Sequence, residues 1–267
     1  MRKSILLITL LAPFFPAHAQ EATSDDKLLA ETRDLYDAPF TRNLISFDCA
    51  IQFDWNNHFR EAFGSVPPTA VPTIDRLQTI PHRVFVDRTG GFVSVIPKAP
   101  DLSAIPHGGD LEQALNSMVS GGINAWIPFA TNVILPIKPT KFVFQKSDDG
   151  YKVTMTGNGV HATLLLNSDF RLTQARSLLP QPLRFSTRFI NGPNGYLLES
   201  VATGDPTTAE GTGDNRFSYE FQAVQGIELP AKISVKPANS ELWHFALTDC
   251  KVNTGITIKL NPPPTVH

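Results

Sequence analysis

The sequence has few of the residues that usually mark a catalytic or metal site. It contains two cysteines, and none of its seven histidines falls in the H-x₃-H or HExxH spacing of a zinc site. It has no G-x-S-x-G elbow, no Walker loop and no GxGxxG fingerprint. We therefore predict no catalytic residue, no metal and no cofactor. A hydrolase with an unrecognised site is the least favoured alternative.

The chain also lacks a strong charge and a second long apolar run. Its formal net charge is −2, and it has no cluster of lysine and arginine. Since phosphate neutralisation supplies most nucleic-acid affinity, we expect no nucleic-acid partner. After the N-terminus, no run of about twenty apolar residues follows. We expect no integral membrane segment.

The N-terminal residues have the pattern of a secretory signal. Arg2 and Lys3 precede the apolar stretch "SILLITLLAPFF", and "AHA" places small residues at 17 and 19. This pattern predicts a cleaved signal peptide over 1–19. No cysteine stands at the cleavage point, which predicts a protein without a lipid anchor. The expected product is one β-rich domain, 20–267, that is periplasmic or secreted.

The two cysteines, Cys49 and Cys250, lie near opposite ends of the mature chain. An even count in an oxidising compartment favours a disulfide between them. Such a bond would stabilise the fold by roughly 4–5 kcal/mol in the chain-entropy model. Two buried free thiols are the alternative.

Patterns in the N-terminal half predict a few regular elements. An acidic first turn predicts a helix over about 24–36. "ISFDCAIQFDW" at 45–55 alternates strictly, which predicts a half-buried antiparallel strand. The proline-rich segment 56–81 predicts a loop. "HRVFVD" and "FVSVIP" flank a turn of two glycines and predict a hairpin.

An insertion at about 98–140 carries one clear helix and one apolar stretch. Asp110 can cap a helix through "LEQALNSMVS", and Gly121-Gly122 is expected to end it. The stretch 123–136, "INAWIPFATNVILP", has two interpretations. It is either a second buried helix or plug that packs on the sheet, or a movable cover over an apolar concavity.

The C-terminal half reads as a regular meander of short strands with tight turns. The expected strands are 141–146, 151–157, 160–166, 170–177, 183–190, 195–203, 216–224, 227–235, 242–252 and 255–260. The fold class predicted is mainly β (α+β): an antiparallel, strongly curved sheet or unclosed barrel of about ten to twelve strands, with two or three helices on its concave face.

Aromatic residues share one face of several of these strands. A curved sheet that is incompletely covered by helices leaves an apolar pocket, the usual form of a small-ligand site. The predicted lid and pocket residues are Trp126, Ile127, Phe129, Val133, Ile134, Leu135, Phe142, Phe144, Phe185, Phe189, Phe217, Tyr219, Phe221, Trp243 and Phe245.

The order of helix, long alternating strand, helical insertion and meander resembles the periplasmic lipoprotein-carrier superfamily (LolA/LolB-like). The similar stretches are "DDKLLAETRDLYDAPFTRNLISFDCAIQFDW", "YKVTMTGNGVHATLLLNSDFRLTQARS" and "FSYEFQAVQGIELPAKISV". The resemblance implies an unclosed β-barrel, lidded by helices, that holds acyl chains. It covers most of the chain as a pattern.

We therefore predict a non-enzymatic extracytoplasmic binder or carrier of a hydrophobic ligand, such as a lipid or acyl chain. Residues 123–136 would gate its pocket. The alternative is a structural or sensory domain that binds an envelope protein through an exposed sheet edge. A filled core and long unpaired edge strands would favour this alternative.

Overall fold

The structure is a computed structural model that describes residues 24–95, 108–132, 135, 141–157, 160–179, 182–205, 207 and 213–258. Within these residues the chain forms twelve strands and four α-helices. The helices are α1 (Ser24–Asp34), α2 (Trp55–Phe63), α3 (Val71–Gln78) and α4 (Gly108–Ala130), with 3-10 turns at Pro39–Thr41 and Pro68–Ala70. The fold is mainly β, as predicted, although four helices replace the two or three expected.

The strands form one antiparallel sheet that does not close into a barrel. Their bounds are β1 (Ser46–Phe53), β2 (His82–Asp87), β3 (Phe92–Val95), β4 (Lys141–Ser147), β5 (Gly150–Gly157), β6 (Val160–Asn167), β7 (Leu172–Leu179), β8 (Leu183–Gly192), β9 (Gly195–Gly204), β10 (Asn215–Val224), β11 (Ile227–Lys236) and β12 (Trp243–Val252).

The strand order is β3-β2-β1-β12-β11-β10-β9-β8-β7-β6-β5-β4. Strands β4 to β12 are therefore a plain meander, in which each strand pairs with its neighbour in sequence. The exception is β1, which lies between β2 and β12. The first strand of the chain thus pairs with the last, and β3 and β4 form the two edges of the sheet.

The predicted disulfide is confirmed. Cys49 on β1 and Cys250 on β12 form a disulfide bond, and the two cysteines are 201 residues apart in sequence. Cys49 lies on the buried face of β1, and its side chain is fully buried. The covalent bond joins the two ends of the chain at the place where their strands already pair.

Alternation along each strand decides which side chains are buried. In β10, Phe217 and Tyr219 are buried, whereas Arg216 and Ser218 are exposed. The apolar side chains of this face, together with those of α4, form the main core cluster. A second cluster lies between α2, α3 and the N-terminal half of α4 and contains Trp55, Ile74, Leu77 and Leu115.

The prediction of a loop over 56–81 is wrong, because α2 and α3 lie there. Asp54 caps α2 by accepting a hydrogen bond from the Asn57 amide, at 3.0 Å. Gly64 ends α2 in the left-handed conformation, with φ at 75°. Prolines begin the next 3-10 turn and α3. Proline suits the first turn of a helix, so prolines here mark helix starts and not a loop.

The prediction that Gly121-Gly122 ends a helix is also wrong. α4 continues through both glycines to Ala130. Gly122 packs so closely on the sheet that a Cβ there would lie 2.8 Å from Cγ2 of Ile233. The glycine therefore serves contact between helix and sheet, and neighbouring packing holds its backbone helical. The strand predicted at 255–260 is absent over 255–258, and residues 259–260 lie outside the described part.

Candidate functional site

Residues 123–130 of the predicted lid, 123–136, belong to the C-terminal half of α4, which lies across the apolar face of the sheet. α4 contacts β3, β9 and β11. Its closest approach is at Gly122, opposite Ile233 and Phe245. Here the Tyr219 hydroxyl donates a buried hydrogen bond of 3.0 Å to the Gly122 carbonyl. Full burial raises the pKa of Tyr219 well above its ordinary value, so this hydroxyl keeps its proton.

Two aromatic side chains of α4 pack against rings of the sheet and of the segment between α1 and β1. Trp126 packs edge-on to Phe47, with ring centroids 6.0 Å apart, and lies near Phe40. Phe129 makes a T-shaped contact with Phe189 at 5.8 Å. Such rings bury large apolar areas and prefer these tilted geometries. Trp126, Phe129, Phe189, Phe217, Tyr219, Phe221 and Phe245 thus all belong to the main core cluster or pack against it.

Other predicted pocket residues lie elsewhere. Phe142 and Phe144, on the edge strand β4 near α1, continue the same cluster toward Tyr151. Trp243 belongs to the second cluster, where it stacks on His58 at 3.7 Å. The remaining five are Ile127 and Phe185, which are partly buried against the main cluster, Leu135, which is buried within it, and Val133 and Ile134, which lie outside the described residues.

The space beneath the end of α4 is filled with side chains. The cavity that Trp126, Phe129, Phe189 and Phe221 line has a volume of about 10 Å³, enough for a single water molecule at most. The covered face is therefore packed core in this conformation. A ligand between α4 and the sheet would need these rings, or the helix itself, to move.

Two carboxylates lie at the rim of this region. Asp37 and Glu228 line the small cavity and a neighbouring one of about 110 Å³. Burial raises the pKa of Asp37, although the Arg42 guanidinium at 3.5 Å opposes this effect. Burial and the nearby charge of Asp37 raise the pKa of Glu228. These two acidic groups thus lie beside the C-terminal end of α4, at the edge of the face that the helix covers.

A larger cavity lies on the opposite face of the sheet. It is an open groove of about 470 Å³ across β7 to β11. We call it the serine groove, because Ser186, Ser200, Ser218 and Ser234 line it. Ser200 pairs with Ser218, which pairs with Ser234, so three hydroxyls form one transverse row. Small side chains at the centre, with longer ones around them, create the depression.

Cationic side chains border the serine groove. Arg188, Arg216 and Lys236 line it, and no acidic residue is among its described lining residues. Arg188 is paired with Glu199 at 3.2 Å. Arg216 and Lys236 stand directly opposite each other on β10 and β11. In the part of the chain that the structure describes, neither has a carboxylate within 4.0 Å.

The described residues hold no group of three or more histidine, cysteine or acidic side chains that could bind a metal. Nor does any described helix combine the length and hydropathy needed to cross a membrane. His82 is the most buried histidine of the described part, with its Nε2 2.6 Å from the Ser94 hydroxyl. Ser94 in turn donates to Asn116 on α4, at 3.2 Å. This chain of polar groups ties β2, β3 and α4 together.

The serine groove was not predicted from the sequence. Its residues alternate with apolar ones, a pattern that equally fits the plain solvated side of a sheet. The available signal was weak: two serines and two cations at alternate positions of "RFSYEF" and "ISVK". Only strand register brings these residues into one row.

Comparison with known proteins gave no similarity to add to these observations. No protein family matches the chain, and no curated protein or solved structure is significantly similar to it.

Proposed function

We propose that this protein is a non-enzymatic binder or carrier of an apolar ligand, such as an acyl chain, taken up between α4 and the sheet. The observation that carries the proposal is the convergence of rings under one helix. Phe189, Phe217, Phe221 and Phe245 come from three different strands, β8, β10 and β12, and meet the half of α4 that bears Trp126. Helix and sheet each present an apolar face to the other.

Uptake would exchange one apolar contact for another. Since the cavity under α4 holds about 10 Å³, a ligand has to displace the side chains of α4 from the rings of the sheet. Apolar surface removed from water contributes about 25 cal/mol per Å². An acyl chain that covers the same rings replaces the lost contacts, so opening in the presence of ligand exposes little net apolar area.

The architecture of α4 is compatible with such movement. Pro128 lies inside the helix and has no amide proton to donate, which weakens the backbone ladder near Trp126. The N-terminal half of α4 packs separately, through Leu111 and Leu115, in the second cluster. The C-terminal half could therefore shift on the sheet while the N-terminal half stays in place.

The compartment that we propose is the periplasm or the exterior of the cell. The disulfide between Cys49 and Cys250 is typical of oxidising compartments. The signal pattern at 1–19, which lies outside the described residues, supports the same location. A relation to the LolA/LolB-like carriers is part of the proposal, supported by the open antiparallel sheet with a helix across one face.

Quenching by a brominated fatty acid tests the proposal. The chain has three tryptophans, and only Trp126 lies between α4 and the sheet, whereas Trp55 and Trp243 belong to the second cluster. We expect saturable quenching in the wild type. It should be lost in Trp126→Phe and retained in Trp243→Phe, a matched change of a tryptophan in the other cluster.

Quenching that survives in Trp126→Phe would overturn the proposed site and place the ligand near the second cluster. There, Trp55 and Leu77 line a cavity of about 260 Å³. Absence of quenching, together with a clean mass in native mass spectrometry after incubation with lipid, would overturn the ligand class. The filled core would then favour partner binding through the edge strand β4, where the side chain of Val143 is 50% exposed.

A further inference from the structure

The serine groove places two like charges against each other without a described acidic partner. Arg216 and Lys236 are directly opposed across β10 and β11, where Cβ atoms lie about 5 Å apart. Like charges in this arrangement are destabilising. Three other cations of this face have acidic partners: Arg188 is paired with Glu199, Lys232 with Glu220, and Arg184 with Asp214. The opposed pair is thus suited to an anion shared between the two side chains.

The rest of the serine groove offers hydroxyls and a small apolar surface. Ser200, Ser218 and Ser234 present donors and acceptors in a row beside the two cations. Ser186 also lines the groove, although its Oγ atom is buried. Ala202 and Leu242 add apolar contact.

We propose that the serine groove binds an anionic polyol, a sugar or inositol that carries a phosphate or carboxylate. The acidic group would lie between Arg216 and Lys236, and the ring hydroxyls would lie over the serines. A volume of about 470 Å³ falls within the usual range for small-ligand sites, about 300–1,000 Å³. This site lies on the face opposite α4, so it is independent of the acyl-chain proposal.

Isothermal titration calorimetry with four probes tests the ligand class: glucose 6-phosphate, glucuronate, glucose and inorganic phosphate. We expect one site for the first two, with glucose and inorganic phosphate each at least about tenfold weaker, because each lacks half of the contacts. Equal affinity for inorganic phosphate and glucose 6-phosphate would overturn the role of the serines. No binding of either acidic sugar would overturn the site.

Four variants locate the binding. Arg216→Gln and Lys236→Gln should each weaken glucose 6-phosphate binding by about tenfold. Lys232→Gln is the matched control, since it removes the same charge on the same face of β11 but lies outside the groove lining and faces Glu220. Ser218→Leu should abolish binding without any change of charge, by filling the centre of the groove. Binding that survives in Ser218→Leu would show a diffuse charge effect and overturn the site.

The acidic polyol could be free or part of a lipid headgroup. Sedimentation with phosphatidylcholine vesicles that contain phosphatidylinositol distinguishes these sources, with pure phosphatidylcholine vesicles as reference. Co-sedimentation that the Arg216→Gln, Lys236→Gln double variant loses would extend the site to headgroups. Binding of the free sugar phosphate alone would assign a soluble ligand. Co-sedimentation that the double variant keeps would overturn a role of the groove at membranes.

Discussion

At the scale of single residues, buried polar groups set the conditions under which this fold is stable. Arg184 is almost fully buried, and its guanidinium reaches Asp214 at 2.6 Å. Gly204 makes this possible, because a Cβ there would lie 2.0 Å from the Asp214 carboxylate. Removing one partner of such a pair leaves an uncompensated buried charge, which is strongly destabilising. A strand pattern alone would have assigned Arg184 to the solvated face.

His82 gives a prediction about pH. Burial lowers its pKa from 6.5 to about 4. Between these two pH values the ring is mostly neutral in the folded protein and mostly protonated in the unfolded chain. Protonation of His82 in the unfolded chain therefore lowers the stability of the fold as the pH falls from 6.5 toward 4, and this loss is absent above pH 6.5. A shift of this size corresponds to up to about 3 kcal/mol.

Urea unfolding of the wild type and His82→Gln at several pH values measures this contribution. We expect the loss of stability between pH 6.5 and 4 to be smaller in His82→Gln by up to about 3 kcal/mol. His161→Gln, which removes an exposed histidine on β6, should keep the slope of the wild type. Equal slopes for the wild type and His82→Gln would contradict the prediction.

At the scale of elements, the packing of α4 on the sheet involves two adjacent glycines that differ in how closely the sheet approaches them. A Cβ at Gly122 would crowd Ile233 and Phe245, whereas a Cβ at Gly121 would meet Phe217 at an ordinary 3.5 Å. Both positions are helical, and alanine favours a helix over glycine by up to about 1 kcal/mol. Packing therefore opposes the helical preference at one position and not at the other.

We expect Gly122→Ala to lower the free energy of unfolding by about 1–3 kcal/mol, since overpacking a core has costs in this range. Gly121→Ala should leave the stability unchanged or raise it by up to about 1 kcal/mol. Chemical denaturation of the two variants side by side gives both values. Two variants of equal stability would show that α4 does not rest on the sheet at Gly122.

The elements also show where sequence patterns succeed and fail. Period-two alternation predicted the strands from β4 to β12 well, because most of them have one buried and one solvated face. It failed between residues 56 and 81, because the prolines that begin the 3-10 turn and α3 resemble a loop signal. The second cluster around Trp55 holds α2 and α3 in place. The end of α4 was predicted too early, because a glycine pair usually marks the end of a helix. Here the close packing of α4 on the sheet requires a glycine within the helix.

At the scale of the whole molecule, the sheet is joined into one unit at β1. This strand pairs with β2 on one side and with β12 on the other. Without a disulfide, β1, β2 and β3 would be attached to the meander through the β1–β12 ladder, α4 and the connecting chain. Cys49–Cys250 makes this junction covalent. The bond closes a loop of 201 residues, so most of the chain is constrained in the unfolded state.

Reduction of this bond should lower the free energy of unfolding by up to about 5 kcal/mol, the chain-entropy value for a loop of this length. The midpoint of urea unfolding with and without reductant measures it. The double variant Cys49→Ala, Cys250→Ala should unfold at the midpoint of the reduced protein and be insensitive to reductant. An unchanged wild-type midpoint, with free thiols verified by mass spectrometry, would contradict this expectation.

The sequence by itself determined the class of the fold, the strands of the meander and the disulfide, because these depend on local alternation, turn residues and the number of cysteines. The same alternation also indicated that rings such as Phe189 and Phe217 lie on the buried face of their strands. Only the tertiary structure decided that their pocket is filled, that Arg184 is buried, and that Arg216 faces Lys236. Those features depend on strand register and on the closeness of helix to sheet, which arise from contacts between residues far apart in the chain.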